Sequence, residues 1–301
     1  MILIVGARGR LGNAVARQLL AQGHAVRAMS RTPAALGELR QLGAEVVTGD
    51  VRDPQSLARA CAGVDGVLAA AHAFDGRGDN TPEAVDHLGS RHLIDAARVA
   101  GVGHFVFTSI HGSRRDHPID LFRYKSLSEE YLRASGLSYT ILRPTAFMEL
   151  WTMITGEPIV KQGKAMIFGR GVNPINFVSA GDVAHFATLA FENPQARNAA
   201  IEIGGPANLT FEQVVALLER VSGRTVNKQH IPLPAMSAMR LLLRPINPAF
   251  SRQIATGIFM DTHDMTFDPA ETLNQFPLRL TRMEEVAQTW YKQHATDHQT
   301  P

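Results

Sequence analysis

Gly6, Gly9 and Gly12 stand three residues apart, directly after the apolar run Ile2–Val5 and at the start of a helical pattern. A residue without a Cβ turns the chain tightly and lets another group come close to the backbone. The first N–H groups of a helix have no partner within it and mark its positive end, so a strand–turn–helix of this kind suits an anion such as a dinucleotide's diphosphate. A glycine triplet alone is a weak signal; the strand before it and the helix after it give it force. Arg8 and Arg10 lie inside the loop, and Ser30-Arg31 follows the second apolar run. An acid there would hold the ribose 2′-hydroxyl of NAD, whereas an arginine accommodates the 2′-phosphate of NADP. The run Ala25–Met29 is followed by no acid, so NADP(H) is expected in preference to NAD(H).

The elements that must carry these residues alternate. Apolar runs at Ile2–Val5, Ala25–Met29, Glu45–Thr48, Gly66–Ala70, His104–Thr108 and Tyr139–Leu142 read as strands, with helical spacing at 10–22, 33–41, 54–62, 82–100 and 120–135 between them. That is the pattern of right-handed βαβ units, and the fold expected is α/β: a Rossmann-type doubly wound parallel sheet. Asp53-Pro54 supports one helix start. Beyond 146 the alternation loosens, with Pro and Gly punctuating Gly156–Pro174. A strand at Asn176–Val178 then leads into a helix opened by Ser179-Ala180-Gly181-Asp182, a capping-box pattern that accounts for Asp182. A strand at Ala200–Ile203, a helix opened by Thr210 with Gln213, apolar helical pieces over 234–260 broken by Pro245 and Pro248, and a helix opened by Thr281 with Glu284 complete the chain. The organisation expected is a nucleotide-binding domain at 1–145 and a smaller C-terminal substrate lobe at 146–301, with 175–205 returning to the first and a polar, fraying tail from His294.

Composition excludes several classes of function. In 301 residues, apolar side chains make up 45%, charged ones 19%, and 30 basic against 28 acidic residues leave +2, so the chain is globular with no basic block for nucleic acid or a membrane surface. The single Cys61 precludes an internal disulfide framework and fits a reducing compartment. No signal peptide and no apolar stretch of about 18 residues is present, so a cytoplasmic protein, monomer or homodimer, acting on a small molecule is expected. No His/Asp/Glu cluster has metal-ligand spacing, so no metal is expected.

The spacing G-x-x-G-x-x-G, with Gly49-Asp50-Val51, Phe107-Thr108-Ser109, Lys125 with Glu129, Tyr139-Thr-Ile-Leu-Arg143-Pro144 and Ile175-Asn-Phe-Val-Ser-Ala-Gly-Asp182-Val-Ala184, resembles the atypical short-chain dehydrogenase/reductases, and among them the NmrA-like group. The resemblance spans about two-thirds of the chain. It implies that Asp50 contacts adenine and that Leu11, Ser30, Val51, Ala70, Ala71, Thr108 and Pro144 complete the nucleotide's surroundings. It places Ser109 as the group polarising the substrate and Lys125 as the lysine that orients the nicotinamide ribose. The usual tyrosine, four residues before that lysine, is Leu121 here. Tyr124 is a neighbour of Leu121 at i+3 but points about 100° from Lys125. His111, whose unperturbed pKa lies near neutrality, is another candidate proton donor or else a surface loop histidine. Lys125 is one of five lysines beside 25 arginines; it reads as functional or as a helix lysine paired with Glu129 in the weaker orientation. Phe147, Met148 and Trp151 read as an apolar wall for a flat substrate or as lobe core.

A ketone reduced by hydride becomes a basic alkoxide that needs a positioned acid, worth roughly 10²–10⁴ in rate. A quinone or conjugated enone becomes a delocalised anion that water can protonate. The expectation is therefore an NADP(H)-dependent oxidoreductase acting on a quinone, enone or similar apolar acceptor. The alternatives are a non-catalytic NADP(H)-sensing protein and a lysine-dependent isoflavone or aryl-ether type reductase.

Overall fold

A computed structural model describes residues 1–295. In the first half, β1 (Ile2–Val5), α1 (Arg10–Ala21), β2 (Val26–Ser30), α2 (Gly37–Gln41), β3 (Glu45–Thr48), α3 (Pro54–Cys61), β4 (Gly66–Ala69), α4 (Ser90–Val99), β5 (His104–Thr108), α5 (Asp120–Ala134) and β6 (Tyr139–Pro144) follow the expected alternation to within two residues at strand ends. Beyond them come β7 (Ala146–Phe147), α6 (Met148–Gln162), β8 (Lys164–Phe168), β9 (Ile175–Val178), α7 (Ala180–Glu192), β10 (Ala199–Ile203), β11 (Asn208–Leu209), α8 (Phe211–Ser222), β12 (Asn227–Ile231), α9 (Leu233–Leu243), α10 (Pro248–Thr262), α11 (Ala270–Gln275) and α12 (Met283–Ala295).

The large sheet has the order β10-β6-β5-β4-β1-β2-β3, and its five junctions from β6 to β3 are parallel. This is the doubly wound order with one strand added outside β6, and its reversal point lies between β1 and β4, where ligands sit in such sheets. The apolar runs form these strands because both faces are covered: β1, β4 and β5 are buried at every residue. The Asp53 carboxylate accepts the Gln55 N–H at 3.0 Å, and Pro54 occupies the first helical position.

The chain divides into two compact units, Met1–Pro144 with Gly181–Glu202, and Thr145–Ala180 with Ile203–Pro301. The returning segment is thus shorter than 175–205, because β9 pairs with β7 and β11 inside the second unit. That unit has its own core around Met148, Ile159, Phe177, Val214 and Met283. Two expectations are corrected. The stretch punctuated by Gly and Pro contains α6, which carries Pro158 internally and ends on left-handed Gly163 (φ 65°), followed by β8. The helical pattern at 82–100 begins as a π-helical turn, Glu83–Gly89, before α4. Thr210 and Gln213 form the capping box expected of them. The polar tail meets α12 as far as Ala295, and positions 296–301 lie outside the described residues. Among the described residues, no helix is long and apolar enough to cross a membrane.

Candidate functional site

The three glycines differ in what makes them necessary. Gly6 has φ +92°, and a Cβ there would lie 2.8 Å from the Ala70 carbonyl and the Ala71 nitrogen. A Cβ on Gly12 would lie 2.8 Å from the Gly6 carbonyl carbon and nearer still to its oxygen. These two are therefore glycine because the turns after β1 and β4 and the start of α1 pack backbone to backbone. At Gly9 a Cβ would meet only the Gly6 oxygen, at 3.2 Å, so the fold itself asks little of this position. Gly9 opens α1 with no side-chain cap and no acid in the first turn, and Leu11 is buried beneath it. The first turn of α1 offers a diphosphate bare backbone at a helix N-terminus and no competing carboxylate, while the Gly9 N–H itself donates to the Gly6 carbonyl at 2.9 Å.

At the ends of β2 and β3 the charges are partly engaged. Arg31 donates from Nη1 to Asn80 Oδ1 at 3.1 Å. The Ser30 hydroxyl accepts the Thr32 N–H at 3.0 Å. Asp50 receives Arg52 side by side, with Nη2–Oδ2 at 2.6 Å. These Arg52 hydrogen bonds, with a smaller contribution from the Arg31 charge, hold the Asp50 carboxyl below its usual range. Val51 is buried against Gly89, so its side chain belongs to the core. Arg52 had no signal in the sequence beyond its charge.

The residues proposed for proton chemistry fall into two groups. Lys125 is buried and does not pair with Glu129, as its spacing suggested. Its ammonium lies 3.0 Å from Asp86 Oδ1 and 5.1 Å from the centre of the Phe107 ring. Asp86 is fully buried in the π-helical turn, and its Oδ2 accepts the Ala73 N–H at 2.9 Å. Tyr124, next along α5, stacks instead on His87 at 5.7 Å between centroids. Burial, then the charges of Glu83 and Asp120, raises the Tyr124 phenol. Leu121 is buried where the tyrosine would stand.

The second group centres on Glu129. Ser109 donates to Glu129 Oε1 at 2.5 Å, Ser113 donates to the same oxygen at 2.9 Å, and Arg143 grips both oxygens. Burial works to raise the Glu129 carboxyl, but the hydrogen bonds from Arg143 and Ser109 outweigh it and hold the group below its usual range. Arg143 also reaches Glu202 Oε1 at 2.8 Å, and His111 Nδ1 lies 2.7 Å from Glu202 Oε2. The His111 N–H donates to the Pro144 carbonyl at 2.9 Å. Glu202 too is held low against its burial by His111 and Arg143. The single hydroxyl proton of Ser109 is thus committed to Glu129. The neighbouring Thr108 Oγ1, at the end of β5, is buried with no hydrogen-bond partner among the described residues, as is Nδ1 of His87. Buried hydroxyls normally find partners; the Thr108 hydroxyl, next to the committed Ser109, is the exception here.

In the second unit, Met148 is buried in the core, while Trp151 is half-buried and packs 4.9 Å from Phe211. Phe147, in β7, is half-buried. Asp86, Arg52 and Glu202 escaped the sequence reading. The available signal for Asp86 was an acid on the stripe Val85, Asp86, Gly89, Leu93, which helical spacing sends inward.

Comparison with known proteins gives three kinds of finding. The NmrA-like family model matches residues 1–287. Among curated proteins, the chain is 29% identical over 244 residues to the chloroplastic protein High Chlorophyll Fluorescence Phenotype 244 of Arabidopsis thaliana, covering 81% of this chain but 61% of that protein. The chain thus spans less than two-thirds of that relative. It is 29% identical to the photosystem II assembly factor Ycf39 of Synechocystis sp., covering 96% and 90% of the two chains. It is 28% identical to an NAD(P)H azoreductase of Xenophilus azovorans, covering 92% and 96%. Among solved structures, the Citrobacter sp. triphenylmethane reductase complexed with NADP(H) superposes with TM-score 0.77 at 22% identity, covering 96% and 99%. The Escherichia coli NADPH-dependent quinone oxidoreductase QOR2 superposes with TM-score 0.77 at 23% identity, covering 97% and 100%. At these identities the likeness is one of fold.

Proposed function

This chain belongs to the NmrA-like family, and we propose that it is an NADP(H)-dependent oxidoreductase that passes hydride to a quinone, enone or similarly conjugated apolar acceptor. The observation that carries the reading is the pairing of Gly9, a glycine at the start of α1 that the fold itself hardly requires, with a buried leucine at position 121 where a phenol would protonate an alkoxide. The azoreductase relative supports the same class of reaction.

Bound NADPH supplies the hydride; the chain's own residues position and neutralise. Gly9 and the first N–H groups of α1 receive the diphosphate, and Arg31, with Arg8, Arg10 and Arg52, counters the 2′-phosphate. Arg52 stays in place through Asp50, which leaves the adenine contact of Asp50 to oxygens already shared with a guanidinium. Ala70 and Ala71 follow β4, which flanks the reversal point of the sheet, and Thr108 and Pro144 end the next two strands, β5 and β6. Lys125, paired with Asp86, orients rather than donates, and the Thr108 hydroxyl is the donor to an acceptor oxygen. Glu202 orients His111 through Nδ1, the arrangement that keeps the far ring nitrogen in one tautomer.

A second reading has its own support. Both Lys125 and Ser109, the side chains expected to act, are engaged by carboxylates, and photosystem II assembly factors are among the relatives. A protein that binds NADP(H) without turnover would look like this. Oxidation of NADPH followed at 340 nm against menadione, a conjugated enone and a simple ketone separates the readings. Turnover of the first two at least a hundredfold faster than the ketone is expected. Tight NADPH binding with no turnover of any acceptor would select the binding protein, and equal turnover of the ketone would remove the argument from Leu121.

A further inference from the structure

The second unit ends one helical hairpin in an apolar tip. Helix α9 buries a single residue, Met236, and is held to α10 by contacts such as the Ser251 hydroxyl donating to the Arg240 carbonyl at 3.0 Å. At the turn between the two helices Leu241, Leu242 and Ile246 are 72%, 70% and 79% exposed, and Phe250 follows in the first turn of α10 at 38%. Arg240 and Arg244, one helical turn apart beside them, are exposed and make no ion pair among the described residues. Acids are missing from the surroundings in sequence as well: residues 220–260 contain six Lys or Arg and no Asp or Glu, in a chain that has 28 acids.

We propose that this tip docks on an anionic lipid surface, with Leu241, Leu242 and Ile246 entering the headgroup boundary and Arg240 and Arg244 meeting the phosphates. Charge decides between occupants. A twofold contact between copies would set these arginines against each other with no acid at the tip to separate them, since the one acid of α10, Asp261, is buried at its far end against Arg170. The tip also offers only a few hundred Å² of apolar surface, short of the roughly 800 Å² that each partner gives to a stable protein interface. An apolar edge flanked by arginine is instead the composition of an interfacial helix, whose attraction grows with anionic lipid. The sequence alone gave no sign of this, because the arginines form no block; the hairpin turn gathers them. The inference is independent of the nucleotide reading.

Co-sedimentation of the full chain with vesicles tests it. Pelleting with vesicles of phosphatidylcholine containing 30% phosphatidylglycerol is expected, and at least tenfold weaker binding to pure phosphatidylcholine. Leu242→Asn/Ile246→Asn and Arg240→Glu/Arg244→Glu should each weaken binding at least tenfold while NADPH binding and the circular dichroism spectrum stay unchanged. Absence of pelleting by the parent chain, or pelleting untouched by either double variant, overturns the proposal. So does a dimer in sedimentation velocity that Leu242→Asn/Ile246→Asn converts to monomer without any vesicle binding, which would give the face to a second copy.

Discussion

Replacing Asp86 by Asn removes one charge from a pair that the first unit has shut away from water. Asp86 is 0% exposed and Lys125 5% exposed, with 3.0 Å between the charged atoms. Asn keeps an acceptor for the Ala73 N–H, so the substitution isolates the charge. Breaking a buried pair from one side leaves an uncompensated ion and costs about 3–5 kcal/mol. The Phe107 ring, 5.1 Å from the ammonium, faces it in parent and variant alike, so the expected loss stays at about 3–5 kcal/mol. Lys125→Met should cost a similar amount, because it strands the carboxylate. The double variant exchanges the ion pair for neutral groups and should lie within about 2 kcal/mol of the parent. The assay is equilibrium urea unfolding of all four proteins at pH 7, combined as a thermodynamic cycle, with an expected coupling of at least about 4 kcal/mol. Single variants within about 1 kcal/mol of the parent, or losses that simply add, would show that the pair does not hold this part of the fold.

Further outcomes follow from four individual sites. His104 is buried between Ser138 and Thr140, and burial pushes its pKa down to about 4. The unfolded chain takes that proton first, near pH 6.5, so stability is full above that value and falls as the pH drops toward 4. Urea midpoints should report a loss of about 2 kcal/mol between pH 7 and pH 5, and His104→Asn should flatten the difference. Gly9→Ala, whose Cβ meets one carbonyl oxygen at 3.2 Å, should leave stability within about 1 kcal/mol while weakening NADPH at least tenfold by calorimetry. Gly12→Ala, whose Cβ meets backbone, should lower the unfolding midpoint outright. Thr108→Val should leave the fold as stable or about 1 kcal/mol more so, since it removes an unpartnered buried hydroxyl, and should raise the acceptor's KM.

The sheet was legible because its strands are short, mostly apolar and regularly spaced, and because Gly6–Gly12 marks the turn where they reverse. The second unit was harder. Its strands β7 and β11 have two residues each, too few for a period of two, and β12 is Asn227–Ile231, a polar stretch with little burial. Pro158 stands inside α6, at the cost of one backbone hydrogen bond, in the stretch where Pro and Gly obscured the alternation. The candidate site divides in the same way. Backbone requirements, such as those at Gly6 and Gly12, can be read from residue type. Partnerships cannot: Lys125 meets Asp86 rather than Glu129, and His111 meets Glu202, across 39 and 91 positions of sequence respectively, where only the fold decides which carboxylate is nearest.

Titration calorimetry of the chain with NADPH and with NADH addresses the cradle at the start of α1 most directly. A saturable heat at one nucleotide per chain is expected, at least tenfold tighter for NADPH, with that preference lost in Arg31→Ala. No heat with either nucleotide would contradict the cradle itself, and equal affinities would contradict the part assigned to Arg31.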